Sequence, residues 1–166
     1  SENDLVLIND IDEIPNLENF KYKCKITFFI QKMFYYKLNL EYPNFDWIGS
    51  RICKVKHLKS PQWLRNIKTK KRPIWKIFSE KQPQLIQDGG WHFSFLKKPE
   101  NIIKKINSYS HQEFNTPHFT DIEKIKKKIS KGEDLFERGI KYKTVSIDDS
   151  FPEYIINNQE RFKDWI

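Results

Sequence analysis

The apolar run Leu5-Val6-Leu7-Ile8, which stops just short of Asp10-Ile11-Asp12, constrains the fold more than any other stretch of the chain. A short aliphatic run of this kind reads as a strand. Alternation along a strand sends residues i and i+2 to the same face. Asp10 and Asp12 are therefore expected to project outward together from the strand tip, about 7 Å apart by strand rise, while Ile11 turns inward to pack. Such a ledge suits a hard divalent cation and the phosphates it carries. It equally suits a plain turn with an aspartate helix cap, and the motif by itself leaves both readings open.

The rest of the chain divides by its punctuation. Ile14-Pro15-Asn16 closes the first segment, because proline lacks a donor and restricts the residue before it, and a short helix is expected over residues 16–20. Residues 26–40 are rich in Phe, Tyr and Ile, residues 47–55 are apolar again, and Tyr42-Pro43-Asn44 supplies turn chemistry between them. That pattern predicts a hairpin, with the start of a helix as the alternative for the first run. Residues 54–81 are strongly basic and broken by prolines, which reads as a surface excursion with short helices, while Trp63 and Trp75 keep it from reading as disordered. Two short strands are expected at residues 84–88 and 91–95, on either side of Gly89-Gly90. Pro99 suits the first turn of a helix with Ile102, Ile103 and Ile106 as its apolar stripe. A second helix opens at the capping box Thr120-Asp121-Ile122-Glu123, buries Ile122, Ile125 and Ile129, and ends at Gly132. No repeat or internal boundary stands out, so residues 1–166 read as a single domain.

A 166-residue chain of one domain can bury roughly 70% of its unfolded surface. Aromatic residues make up 15% of it although the mean hydropathy is −0.74, so aromatic rings carry much of the burial or line a ligand groove. The formal net charge of +8 suits a polyanionic partner. It is mostly lysine, however, beside abundant Ile and Asn, a bias that an AT-rich genome also produces. Cys24 and Cys53 lack metal-ligand spacing and are too few for a disulfide scaffold, so free thiols are expected. No apolar run approaches the roughly 20 residues that span a bilayer, and neither a signal-peptide pattern nor an Asn-x-Ser/Thr acceptor is present. These features together favour a cytoplasmic location. Ser1 lies only a few residues before the first strand, and the chain is expected to be an N-terminally truncated fragment.

Two further clusters carry possible chemistry. In Asp88-Gly89-Gly90-Trp91-His92-Phe93-Ser94 the glycines let backbone approach a ligand, Trp91 offers a flat face to a sugar or base, and His92 can meet a metal or phosphate. A hairpin with a core Trp and a satisfied core His explains the same residues. Ser110-His111-Gln112-Glu113-Phe114-Asn115 gathers polar groups after the first helix, where a favourable His at a helix C-terminus is the simpler account.

Taken together, Asp10-Ile11-Asp12-Glu13-Ile14-Pro15, Asp88 to Ser94 and the stretch from Lys105-Ile106 to Asn115 resemble the family 17 glycosyltransferases, of which the bisecting beta-1,4-N-acetylglucosaminyltransferases are the best-known members. Trp47-Ile48-Gly49, Leu64-Arg65, residues 132–136 and Pro152-Glu153-Tyr154 extend the likeness over most of the chain. Asn9 before the first Asp and Gly89 within the Gly-Trp-His element depart mildly from the pattern. The resemblance implies an α/β fold of GT-A type, with this chain its metal- and acceptor-binding part beginning at the Asp-x-Asp strand. It further implies a sugar nucleotide donor, UDP-N-acetylglucosamine, a glycan acceptor, a divalent metal (Mn2+ or Mg2+) and inversion at the anomeric carbon. On this likeness Asp12 ligates the metal and Asp10 assists, Asp88 and Glu113 are the candidate bases with Glu113 preferred, His92 and His111 contact metal or diphosphate, and Trp91 stacks on a sugar.

Two other classes compete. A haloacid-dehalogenase-type phosphatase also places Asp-x-Asp after a strand, using the first Asp as nucleophile, with Asp148-Asp149 as its later acidic pair. Ile14 and Pro15 fit that family poorly, and the Gly-Trp-His cluster would be left without a role. A nucleic-acid-binding module would use the basic residues of 54–81 on phosphates and Trp63 or Trp75 on bases. A solvated lysine-rich face is the commoner origin of such a run.

Overall fold

The structure is a computed structural model that describes residues 1–18, 20–68, 83–108 and 116–166. Its strands are β1 (Leu5–Ile8), β2 (Glu13–Pro15), β3 (Ile26–Tyr35), β4 (Leu40–Lys54), β5 (Gln84–Ile86), β6 (Gly90–Ser94) and β7 (Lys143–Thr144). Its α-helices are α1 (Pro61–Asn66), α2 (Pro99–Asn107), α3 (Pro117–Thr120), α4 (Ile122–Lys131) and α5 (Glu153–Ile156). The strands join in one mixed sheet of order β1-β4-β3-β6-β2, with β5 on β3 and β7 on β4. The β3–β5 pairing is parallel and the β1–β4, β2–β6 and β4–β7 pairings are antiparallel, so the chain is mixed α/β. Among the described residues no helix is long and apolar enough to cross a membrane.

The chain forms two compact units, one of Ser1–Lys32 with Asp46–His92 and one of Met33–Phe45 with Phe93–Ile166. In the first, Phe28 and Phe29 of β3, Cys53 of β4 and Leu64 of α1 are each fully buried. Phe20 packs on Phe29 at 5.4 Å between ring centroids. In the second, Ile102 and Ile106 of α2 and Ile125 of α4 supply the buried helix stripes. An aromatic stack of Tyr35 on Tyr142 (4.7 Å) and on Phe95 (6.0 Å) fills the space beside them. Buried Asp134 anchors this cluster by accepting from Arg138 Nη2 at 2.7 Å and from Tyr142 OH at 3.0 Å.

Several expectations hold and several move. The hairpin from residue 26 to 54 is present, but its turn is residues 36–39, with Tyr36 at φ 64°. Tyr42-Pro43-Asn44 lies inside β4, where Asn44 at φ 56° bends the strand instead of ending it. Asp121 caps α4, accepting from Glu123 and Lys124 N–H groups, so the cap falls one residue later than expected; Thr120 instead ends α3. Gly132, at φ 64°, closes α4 in the left-handed conformation typical of that position. No helix forms at 16–18 or at Phe20.

The largest correction concerns the acidic motif. β1 stops at Ile8, and Asp10 to Glu13 is a turn closed by Glu13 N–H donating to the Asp10 carbonyl at 3.1 Å. The side chain of Asn9 ties the same turn, its amide donating to the Asp10 and Glu13 carbonyls. Strand alternation does not operate through a turn, whose central residues project away from the chain. Ile11 is accordingly fully exposed rather than packed.

Candidate active site

The turn delivers its side chains in different directions. Glu13 is the first residue of β2 and stands opposite His92 of β6, so the pair share a face of the sheet. Both are buried, each at 6% exposure. The Glu13 carboxylate takes Trp47 Nε1–H at 2.7 Å on one oxygen, and the Ser50 hydroxyl and Asp10 N–H, both at 3.2 Å, on the other. Ser50 in turn accepts from Gln31 Nε2 at 3.1 Å, which carries the network into the core. The Trp47 indole also packs on the His92 ring, with 4.8 Å between centroids.

Asp12 sits above this layer with 27% of its side chain exposed, and His92 Nε2 lies 3.5 Å from its Oδ1. The other ring nitrogen of His92, Nδ1, is buried and has no hydrogen-bond partner. Asp10 swings the other way and forms an ion pair with Arg65 at the end of α1, whose Nη2 also donates to the Asn9 carbonyl at 3.3 Å. A cavity of about 160 Å³ opens here, bounded by Asp10, Glu13, Trp47, Gly49, Arg51 and Arg65.

Local sequence explains these placements. Trp47 to Arg51 occupy β4, with Gly49 where an added Cβ would lie 1.9 Å from Gln31 Oε1, so a larger residue requires that buried side chain to move. Gly90, at φ 132°, starts β6 so close to β2 that an added Cβ would meet the Ile14 carbonyl at 2.1 Å. The paired glycines thus serve close approach of backbone to backbone.

The structure therefore brings Asp10, Asp12 and His92 together in one unit. Trp91 is register-paired with Ile14, and alternation sends it to the face opposite His92. Asp88 is exposed at φ 49° in the turn between β5 and β6, a conformation that aspartate tolerates better than most residues. His111, Glu113 and Trp75 lie outside the described residues. Glu13, Trp47, Ser50, Arg51 and Arg65 are the site residues to which the sequence reading gave no role. Glu13 within the acidic motif, and Trp47 and Arg65 within family-like stretches, were the available signals; the Asp10–Arg65 pair spans 55 residues and leaves no local pattern.

As a metal centre the donor set is sparse. Among the described residues no group of three or more His, Cys, Asp or Glu side chains is gathered to hold a cation. The chemistry that remains is of another kind: one or two accessible carboxylates that complete a hard cation's shell with substrate phosphates, as magnesium sites commonly do. Asp12, accessible and braced from beneath by His92, fits that description.

The chain matches the model of glycosyltransferase family 17 over residues 1–164, nearly its whole length, and belongs to that family. Its class of reaction is glycosyl transfer, which in general requires a sugar donor and a glycan acceptor. Among curated proteins and among solved structures nothing matches it.

Proposed function

We propose that the protein is a metal-dependent, inverting glycosyltransferase of GT-A type that transfers N-acetylglucosamine from a uridine-diphosphate donor to a hydroxyl of a glycan. Family membership supports the class of reaction, and the likeness of its motifs to the N-acetylglucosaminyltransferases supports the sugar. The observation that carries the reading is the turn at Asp10 to Glu13. It leaves the Asp12 carboxylate partly exposed in a turn anchored by Glu13, which binds three donors.

Asp12 would hold a divalent cation with Asp10 in support, and the bound cation would supply Lewis-acid neutralisation of charge on the departing diphosphate. His92, whose Nε2 faces Asp12, orients that carboxylate. Inversion is a single displacement, so a general base must take the proton of the acceptor hydroxyl. Asp88, exposed beside the Gly89-Gly90 turn, and Glu113 are the carboxylates proposed for it, with Glu113 preferred.

The test is a screen of sugar nucleotides with manganese on the complete protein, reading donor hydrolysis and transfer. Selective turnover of UDP-N-acetylglucosamine is expected. Turnover of phosphate monoesters in place of sugar nucleotides would point to a phosphatase and refute the reading.

A further inference from the structure

Arg51 and Arg65 line two hollows at once. On one side is the cavity at the acidic turn; on the other is an open cleft of about 660 Å³ bounded by Ile48, Arg51, Arg65, Asn66, Ile67 and Lys68. Among the described residues the second cleft therefore carries three cationic side chains and no carboxylate. Arg51 lies over the Phe28 ring at 5.0 Å and spends one Nη donor on the Leu64 carbonyl at 2.8 Å. Its Nε is buried without any hydrogen-bond partner. Burial holds this guanidinium below its usual range, with nearby Arg65 adding to the effect and nearby Glu13 and Asp10 opposing it. A buried donor without an acceptor beside a second like charge is an arrangement that an anion would relieve.

We propose that the Arg51–Arg65–Lys68 cleft binds a phosphate group, and that the phosphate takes the Arg65 guanidinium away from Asp10. The planar fork of arginine matches phosphate oxygens bidentately. Its present partner is easily displaced, because the Asp10 and Arg65 side chains are 49% and 43% exposed and exposed pairs are weak. Phosphate binding would thereby release the Asp10 carboxylate at the acidic turn. The inference deepens the transferase reading by naming a donor-side or acceptor-side phosphate as the ligand, and it rests on that reading only for the identity of the phosphate.

The test is calorimetric titration of the chain with inorganic pyrophosphate and, separately, glucose 6-phosphate, both in excess chelator. Saturable binding of pyrophosphate alone assigns the site to a diphosphate such as the donor's; binding of the monoester alone assigns it to a phosphorylated acceptor. Arg65→Ala should weaken the bound probe about tenfold or more. Asp10→Asn should tighten it about two- to fivefold, because it removes the competitor for Arg65. A gain in affinity cannot arise from a misfolded variant. Failure of both probes to bind, or unchanged or weaker binding by Asp10→Asn, would overturn the proposal. Binding with these signatures in a protein that turns over no sugar nucleotide would leave it standing and remove the transferase reading instead.

Discussion

Replacing Glu13 by Gln tests whether the acidic turn is held from below. The amide is isosteric, so packing against Trp47 is kept, but it offers one acceptor where the carboxylate offers two. Trp47 Nε1–H needs one oxygen, and Ser50 and Asp10 N–H share the other. Whichever way the amide turns, one N–H faces another N–H in a buried site. An unsatisfied buried donor costs about 1–3 kcal/mol, and loss of charge assistance in the remaining bonds adds about 1 kcal/mol. The expected destabilisation is therefore about 2–4 kcal/mol, which at ordinary urea slopes moves the midpoint down by about 1–2 M. Urea titration followed by far-UV circular dichroism and tryptophan fluorescence reads it directly. Ser50→Ala, which removes one of the three donors to Glu13 and also leaves the buried Gln31 amide without its acceptor, should cost about 1–3 kcal/mol. A midpoint within about 0.3 M of wild type for Glu13→Gln would refute the claim that this carboxylate anchors the turn.

Other predictions follow from separate features. In Asp134 burial works to raise the carboxyl pKa, but hydrogen bonds from the Arg138 side chain and backbone, with Tyr142 assisting, outweigh it and hold the carboxyl below its usual range. Its stabilisation is thus complete above the unfolded value of about 3.9 and is lost as pH falls through the lower folded value. Asp134→Asn should cost about 1–3 kcal/mol near pH 7, because the Arg138 partner is half exposed, and thermal melts should show the gap to wild type shrinking below pH 4; a constant gap would contradict the assignment. Gly49→Ala should lower the melting temperature by several degrees, since its Cβ would lie 1.9 Å from Gln31 Oε1; Gln31→Ala should restore much of the loss in the double variant. For the proposed base, either Asp88→Asn or Glu113→Gln, but not both, should cut turnover by about 10²–10⁴ while sparing manganese-dependent donor affinity. Near-normal turnover in both would place the base elsewhere.

The helices were legible because their signals are local. Ile102 and Ile106, Ile125, and Gly132 each report on neighbours within one or two turns, and periodicity reads such neighbours well. The hairpin was legible for the same reason, but its turn was not: Pro43 and Asn44 look like turn residues, and a long strand absorbed them as a bend. The acidic motif failed at the step from strand to turn. Nothing in Leu5 to Asp12 shows that pairing with β4 ends at Ile8: β4 runs on past Arg51, and it is the chain after Ile8 that turns away to begin β2 against β6. The layer beneath Asp12 was hidden for a related reason. Glu13, Trp47, Ser50 and His92 come from three strands and meet only once the sheet has assembled. Sequence motifs named the neighbourhood through family likeness, and tertiary pairing decided what each residue does there.

Asp12 is the carboxylate through which we propose that glycosyl transfer depends on a divalent cation. The most direct measurement is transfer of sugar from UDP-N-acetylglucosamine by the complete protein, with manganese and with excess chelator, for wild type and Asp12→Ala. The account predicts manganese-dependent turnover in wild type, its loss in chelator, and its loss in Asp12→Ala at every manganese concentration. Full turnover in chelator, or an Asp12→Ala variant as active as wild type, would contradict it.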